Sequence, residues 1–162
     1  MGVSADEFRT ALRRWASGVT IVTARAGDRI HGMTVSAFSA VSLDPPLVLV
    51  CADKTAHTTP LVAEGGVFAA NVLAAGQEAL SNRFASKKDE WRRFEGLEWG
   101  TLATGAPILP GVLAALDCRL VATHDAGDHL IYVGRVEAIA ASEQAPLVYF
   151  EAEYRKLEPL PG

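Results

Sequence analysis

Gly32-Met33-Thr34-Val35-Ser36-Ala37-Phe38-Ser39-Ala40-Val41-Ser42-Leu43-Asp44-Pro45-Pro46 is the stretch from which the fold is read. Small hydroxyls at Thr34, Ser36, Ser39 and Ser42 punctuate a segment that is otherwise strand-like. The double proline then removes two backbone donors, so the strand stops there. Leu47-Val48-Leu49-Val50-Cys51-Ala52 follows and reads as a fully buried strand. A hydroxyl-rich strand beside an apolar one suits a sheet that holds a polar, planar ligand. The same spacing also fits a sheet with one wet face.

Upstream, Ser4-Ala5-Asp6-Glu7 fits a capping box, and Phe8, Ala11, Leu12 and Trp15 share one face of a helix expected over about residues 4–16. Gly18 ends it. Val19–Thr23 and Ile30–Thr34 read as strands around a turn at Ala26-Gly27-Asp28-Arg29, and Ala37–Leu43 as the strand leading to the prolines. Downstream, Thr59-Pro60 is read as an N-cap with proline in the first helical position, and Gly65-Gly66 as the stop. Val67–Leu73 is a buried strand and Gln77–Phe84 a helix. Ala85–Pro110, rich in charge, Trp and Gly, is read as short helix plus surface loop. Val112–Thr123, Leu130–Ala140 and Pro146–Glu151 close the pattern, with Ala126-Gly127-Asp128 as a hairpin turn.

Short turns between strands exclude the regular alternation of a parallel doubly wound sheet. The pattern is mainly β, an antiparallel barrel of six to eight strands with peripheral helices, in one domain over residues 1–162. The chain has 162 residues, 49% of them hydrophobic, enough for a real core. A formal charge of −4 and scattered basic residues argue against nucleic acid. No apolar run reaches membrane-spanning length, and the acidic start lacks the pattern of a signal peptide, so a cytoplasmic location is expected. Cys51 and Cys118 lie in apolar runs and are read as free buried thiols.

Reactive groups are few. There is no Cys-x-x-Cys pair, no metal-ligand spacing, no nucleophile elbow and no phosphate-binding glycine loop. An enzyme with this inventory places its chemistry in a cofactor and supplies binding and orientation. Asp53-Lys54-Thr55-Ala56-His57-Thr58-Thr59-Pro60 joins a buried strand to a helix start, where free N–H groups and hydroxyls suit a phosphate, as they suit an ordinary capped loop. Gln77, Ser81 and Phe84 share a helix face, and His129 stands at the start of a strand rather than within a core run.

Taken in order, Gly18-Val19-Thr20-Ile21-Val22-Thr23, Gly32–Phe38, Ser42–Leu47, Phe68–Leu73, Arg83-Phe84-Ala85, Gly105-Ala106-Pro107, Leu116-Asp117-Cys118, Gly127-Asp128-His129, Gly134-Arg135-Val136 and Pro146–Phe150 resemble the flavin reductase-like, FMN-binding split-barrel family. The likeness is closest to the small NAD(P)H:flavin oxidoreductases of two-component monooxygenases. The resemblance implies a six-stranded antiparallel split barrel, a homodimer, and flavin (FMN or FAD) in a groove near the subunit interface.

By that resemblance Thr34, Val35, Ser36 and Ala37 contact the isoalloxazine and ribityl part. Asp53, Lys54, Thr55, His57 and Thr58 contact the ribityl chain and phosphate, with Lys54 offsetting charge. Asn71, Leu73, Gln77, Ser81, Phe84 and Ser86 complete the pocket, and His129 positions the nicotinamide of NADH or NADPH or assists a proton. The implied reaction is hydride transfer to the flavin, which then travels to a separate oxygenase. The alternatives are a tightly held flavin that reduces a corrinoid, ferric chelate or quinone, and a flavin-binding module without turnover.

Overall fold

The computed structural model describes residues 2–162. Its elements are α1 (Ala5–Leu12), β1 (Ser17–Gly18), β2 (Thr20–Ala26), β3 (Arg29–Val35), β4 (Phe38–Ser42), β5 (Leu47–Asp53), α2 (Thr58–Gly65), β6 (Val67–Val72), α3 (Glu78–Ala85), a 3-10 turn (Glu90–Arg92), β7 (Ala114–Ala126), β8 (His129–Ala141), β9 (Val148–Phe150) and β10 (Glu153–Arg155).

The main sheet has seven strands in the order β3-β2-β6-β7-β8-β5-β4, and every pairing is antiparallel. Its two edge strands, β3 and β4, stand at opposite ends of that order, yet only Ser36 and Ala37 separate them in the chain. Two residues span at most about 7 Å. The sheet must therefore curl until its edges meet, which makes a barrel split at Ser36-Ala37. The Cys51 N–H donates to the Ala37 carbonyl at 3.1 Å, which extends the β4–β5 pairing into this link. The barrel thus has seven strands, within the six to eight of the sequence pattern and one more than the resemblance implies, and a separate three-stranded sheet, β1-β9-β10, accompanies it.

Alternation along the strands builds two cores on opposite faces of this sheet. Val22, Ala24, Val48, Val50, Phe68 and Tyr132 fill the barrel, where α2 adds Leu61 and Val62. Val19, Ile21, Leu73, Phe84, Leu109 and Leu147 form the second core on the outer face, with Phe84 supplied by α3. Two glycines permit this packing. A Cβ on Gly134 would sit 2.5 Å from Phe68 Cζ, and one on Gly32 would sit 2.8 Å from Phe84 Cε1.

Several boundaries differ from the sequence reading. The capping box of α1 is present, with the Glu7 N–H donating to Ser4 Oγ at 3.2 Å and the Ser4 N–H to Glu7 Oε2 at 2.8 Å. The helix ends at Leu12, four residues early, and none of its residues is buried. Helix α2 begins at Thr58, so Pro60 falls third in the helix; a missing N–H costs nothing anywhere in a first turn. Gly66 closes α2 in the left-handed region at φ 69°, as its sequence suggests. Strand β10 was not expected. It follows a tight turn at Glu151-Ala152, whose φ values of 55° and 60° are adopted without glycine. Cys118 is buried and Cys51 partly buried, both as free thiols, and burial pushes the Cys118 thiol up to about 12.

Candidate active site

The outer face of β3 does not meet another strand. It meets α3 and the chain after it, and the seam between them is a cleft. Two hollows, of about 340 Å³ and about 250 Å³, meet at Thr34 and Ala85. Asp53, Thr55, His57, Lys87 and Arg93 line the polar end of the larger one, and Met33 and Phe84 line its apolar flank. Val19, Ser36, Ser81 and Tyr154 line the smaller one.

Thr34 is at the junction. Its hydroxyl donates to the Ser81 carbonyl at 2.6 Å, which fixes the side chain and leaves the oxygen lone pairs facing the cleft. Tyr154 Oη lies 2.8 Å from both Ser81 Oγ and Asn82 Oδ1, so the third strand of the small sheet closes one end. Ser36 lines the same hollow, while Val35 points into the barrel core. Ala37 is exposed and faces a further hollow of about 520 Å³ between α1 and the β9–β10 turn.

At the other end, Asp53 Oδ1 accepts both the N–H and the hydroxyl of Thr55 at 2.7 Å, and these bonds hold the carboxyl below its usual range. Lys54 does not turn toward the cleft. Its Nζ is bound to Asp125 at 2.9 Å. His57 lines the cleft with its Nδ1 2.9 Å from Glu90 Oε1. Thr58 is fully buried, and its hydroxyl lies 2.7 Å from His31 Nδ1. The start of α2 two residues earlier than expected is what turns it inward. His129 is paired opposite Asp53 across β5 and β8, with Nδ1 2.6 Å from Asp128 Oδ1.

Four of the expected residues stand behind the cleft rather than on its wall. The Asn71 amide donates to the Ile21 carbonyl at 3.0 Å and to Thr23 Oγ1 at 3.1 Å, and its oxygen accepts the Leu109 N–H at 2.9 Å. Leu73 is in the outer core. Gln77 bonds the Ala74 N–H and the Pro110 carbonyl. Ser86 gives its carbonyl to Arg93 and faces a second hollow on the far side of the chain.

The segment Glu90–Arg93, within the stretch read as short helix plus surface loop, carries the short 3-10 turn and is a strap that completes the cleft. Arg93 is 6% exposed; its Nη1 donates to the Gly32 carbonyl and its Nη2 to the Ser86 carbonyl, each at 2.7 Å. It therefore ties β3 to the chain beyond α3, the two walls of the site. Glu90 binds His57 and stands 3.7 Å from His31 Nε2. Burial, reinforced by the Arg93 charge, pulls the His31 imidazole down to about 4, so it is neutral at pH 7. Nothing in the local sequence marks this strap, because its partners lie about 35 to 60 residues upstream.

The cleft thus has a hydroxyl-bearing middle, an apolar flank and a charged end where Lys87 and Arg93 stand with Asp53 and Glu90 around His57. Residues 12–158 match the model of the flavin reductase like domain. The chain belongs to that family. It is 39% identical, over 97% of its length and 80% of the relative's, to the reductase subunit HsaB of a flavin-dependent monooxygenase from Rhodococcus jostii (strain RHA1). It is 43% identical, over 91% of its length and 83% of the relative's, to the FMN reductase (NADH) SmoA of Agrobacterium fabrum. Among solved structures it is similar to BorF, the flavin reductase component of a bacterial two-component tryptophan halogenase. That match has a TM-score of 0.88 and 37% identity, covering 97% of this chain and 100% of the other.

Proposed function

We propose that this chain is an NAD(P)H-dependent flavin reductase that reduces FMN or FAD and hands the product to a separate flavin-dependent monooxygenase component. The observation that carries the reading is the three-part cleft along β3, whose side chains can bind and orient but form no nucleophile–base pair. When bound, flavin would supply the redox chemistry, as the acceptor of a hydride from the reduced nicotinamide. The protein's share is placement, since the two rings must be held within about 3–3.5 Å. Thr34, fixed by the Ser81 carbonyl, presents an acceptor edge, and Phe84 backs the ring face. Lys87 supplies positive charge for the phosphate. His129, oriented by Asp128 at the same end as Asp53, positions the nicotinamide or assists a proton.

The chain acts as one flavin reductase-like domain, and as a homodimer. Support for the second copy comes from apolar surface that nothing covers: Phe8, Leu12 and Trp15 on and after α1, Val41 and Leu43 at the tip of β4, and Ile139 on β8 are each at least 48% exposed. Two unpaired thiols and a need for reduced nicotinamide nucleotide support the cytoplasm. Among the described residues no helix is long and apolar enough to cross a membrane.

The deciding experiment is anaerobic stopped-flow mixing of protein, FMN or FAD, and NADH or NADPH. Bleaching of the flavin's visible band with saturation in both substrates is expected. Failure of every combination to bleach refutes the reading. Flavin that stays with the protein through gel filtration after turnover refutes the diffusible-product part alone.

A further inference from the structure

Trp91 lies within the strap, between two residues that line the cleft, but its own ring is 71% exposed. An exposed indole held in one orientation is a preorganised surface for a flat ligand, because little ordering entropy is left to lose on binding. Here it is held. Its ring centroid is 5.0 Å from that of His31 and 4.8 Å from that of His57. His31 is buried, and His57 is fixed by Glu90. Arg93, two residues on, is anchored to two backbone carbonyls, and Phe94 packs edge-on against Phe84 with ring centroids 5.2 Å apart.

The indole therefore has two imidazoles behind it and solvent on its remaining surface. It stands beside His57 at the charged end of the cleft, whose wall also carries Lys87, Arg93, Asp53 and Glu90. A phosphate bound there by Lys87 carries whatever follows it toward this rim. In both FAD and NAD(P)H the group that follows the phosphates is adenosine. The geometry points to Trp91 as a stacking platform for the adenine ring of a dinucleotide bound in the cleft. The inference rests on the flavin reductase reading for the identity of the ligand. The chemistry is shared between two sources, the adenine of FAD and that of the nicotinamide coenzyme.

The test compares wild type, Trp91→Ala and Trp91→Phe in kcat/KM for FAD against FMN, and for NADH against reduced nicotinamide mononucleotide, which lacks adenine. The ratio for the dinucleotide that uses the platform falls about tenfold in Trp91→Ala, as expected for the loss of one base–aromatic stack. Trp91→Phe restores most of it. A fall confined to the FAD ratio assigns the platform to FAD, and one confined to the NADH ratio assigns it to the coenzyme. Calorimetric titration with ADP-ribose, which needs no turnover, shows binding to wild type and loss of it in Trp91→Ala. Unchanged ratios overturn the proposal. So does a rise in FAD use on truncation, which would make Trp91 a barrier, or dissociation of the dimer, which would make it an interface residue. If wild type reduces no flavin, the enzymatic reading fails, and the ADP-ribose titration still decides for or against the platform.

Discussion

Acid should destabilise this protein through one residue in particular. His31 is buried, with Thr58 Oγ1 on Nδ1 and no hydrogen-bond partner on Nε2. Burial and the Arg93 guanidinium disfavour its cation, and Glu90, at 3.7 Å, offsets only part of that. The folded value of about 4 lies below the ordinary 6.5, so between those values the unfolded chain binds more protons than the folded one. Stability from this group is complete above pH 6.5 and is lost as pH falls toward 4. At about 1.4 kcal/mol per pH decade the whole window is worth about 3 kcal/mol, of which about 2 kcal/mol is already lost at pH 5. Urea unfolding at pH 7.5 and pH 5, followed by tryptophan fluorescence, measures the loss in wild type and in His31→Gln. Other titrating groups are common to both proteins, so the difference between the two losses isolates His31. Equal losses in wild type and variant would refute the assignment of a neutral, buried imidazole at this site.

Three further perturbations test the packing and the cleft. Gly134→Ala forces a methyl to 2.5 Å from Phe68 Cζ and 2.8 Å from Cys118 Cβ; it should cost about 1–3 kcal/mol in thermal or urea unfolding, and an unchanged midpoint would show that the barrel interior yields. Lys87→Met should weaken FMN several-fold while leaving riboflavin, which has no phosphate, unaffected, whereas Lys54→Met should disturb neither, because its ammonium is engaged by Asp125; equilibrium flavin titration distinguishes the two lysines, and the reverse order would return the phosphate to Lys54. His129→Ala should raise the NADH KM or slow hydride transfer by about tenfold, the worth of one hydrogen bond, and unchanged values for both would remove His129 from the site.

The fold was legible where local rules and tertiary demands coincide. Glycine and proline punctuation placed the starts of β5 and β6 and the end of α2, and the Ala126-Gly127-Asp128 turn placed the β7–β8 hairpin, with Gly127 at φ 70°. Strand β10 escaped because its hairpin turns on Glu151 and Ala152, residues that rarely adopt positive φ. The position of Tyr154 against Ser81 is the interaction that this turn secures, and it is invisible to any rule that looks for glycine. Helix α1 shows the converse limit. Its cap and its apolar face were both readable, but the sequence pattern cannot say that within one chain the face has nothing to pack on.

Legibility of the cleft divides along the same physical line. Thr34 and Ser36 were visible because a hydroxyl in a strand departs from its neighbours, and they do face a cavity. Thr58 and Asn71 departed in the same way and point elsewhere: a shift of two residues in the start of α2 sends Thr58 to His31, and Asn71 is consumed holding the chain at Leu109. A polar residue within an apolar pattern therefore announces that a hydrogen bond must be made, not that a ligand makes it. The strap carries this further. Glu90, Trp91 and Arg93 lie in a segment without periodicity, so only their partners at Gly32, His31 and His57 give them meaning, and those partners are brought near by the closing of the barrel. The catalytic surface of such a protein is set less by the residues of β3 than by what the curled sheet forces against them.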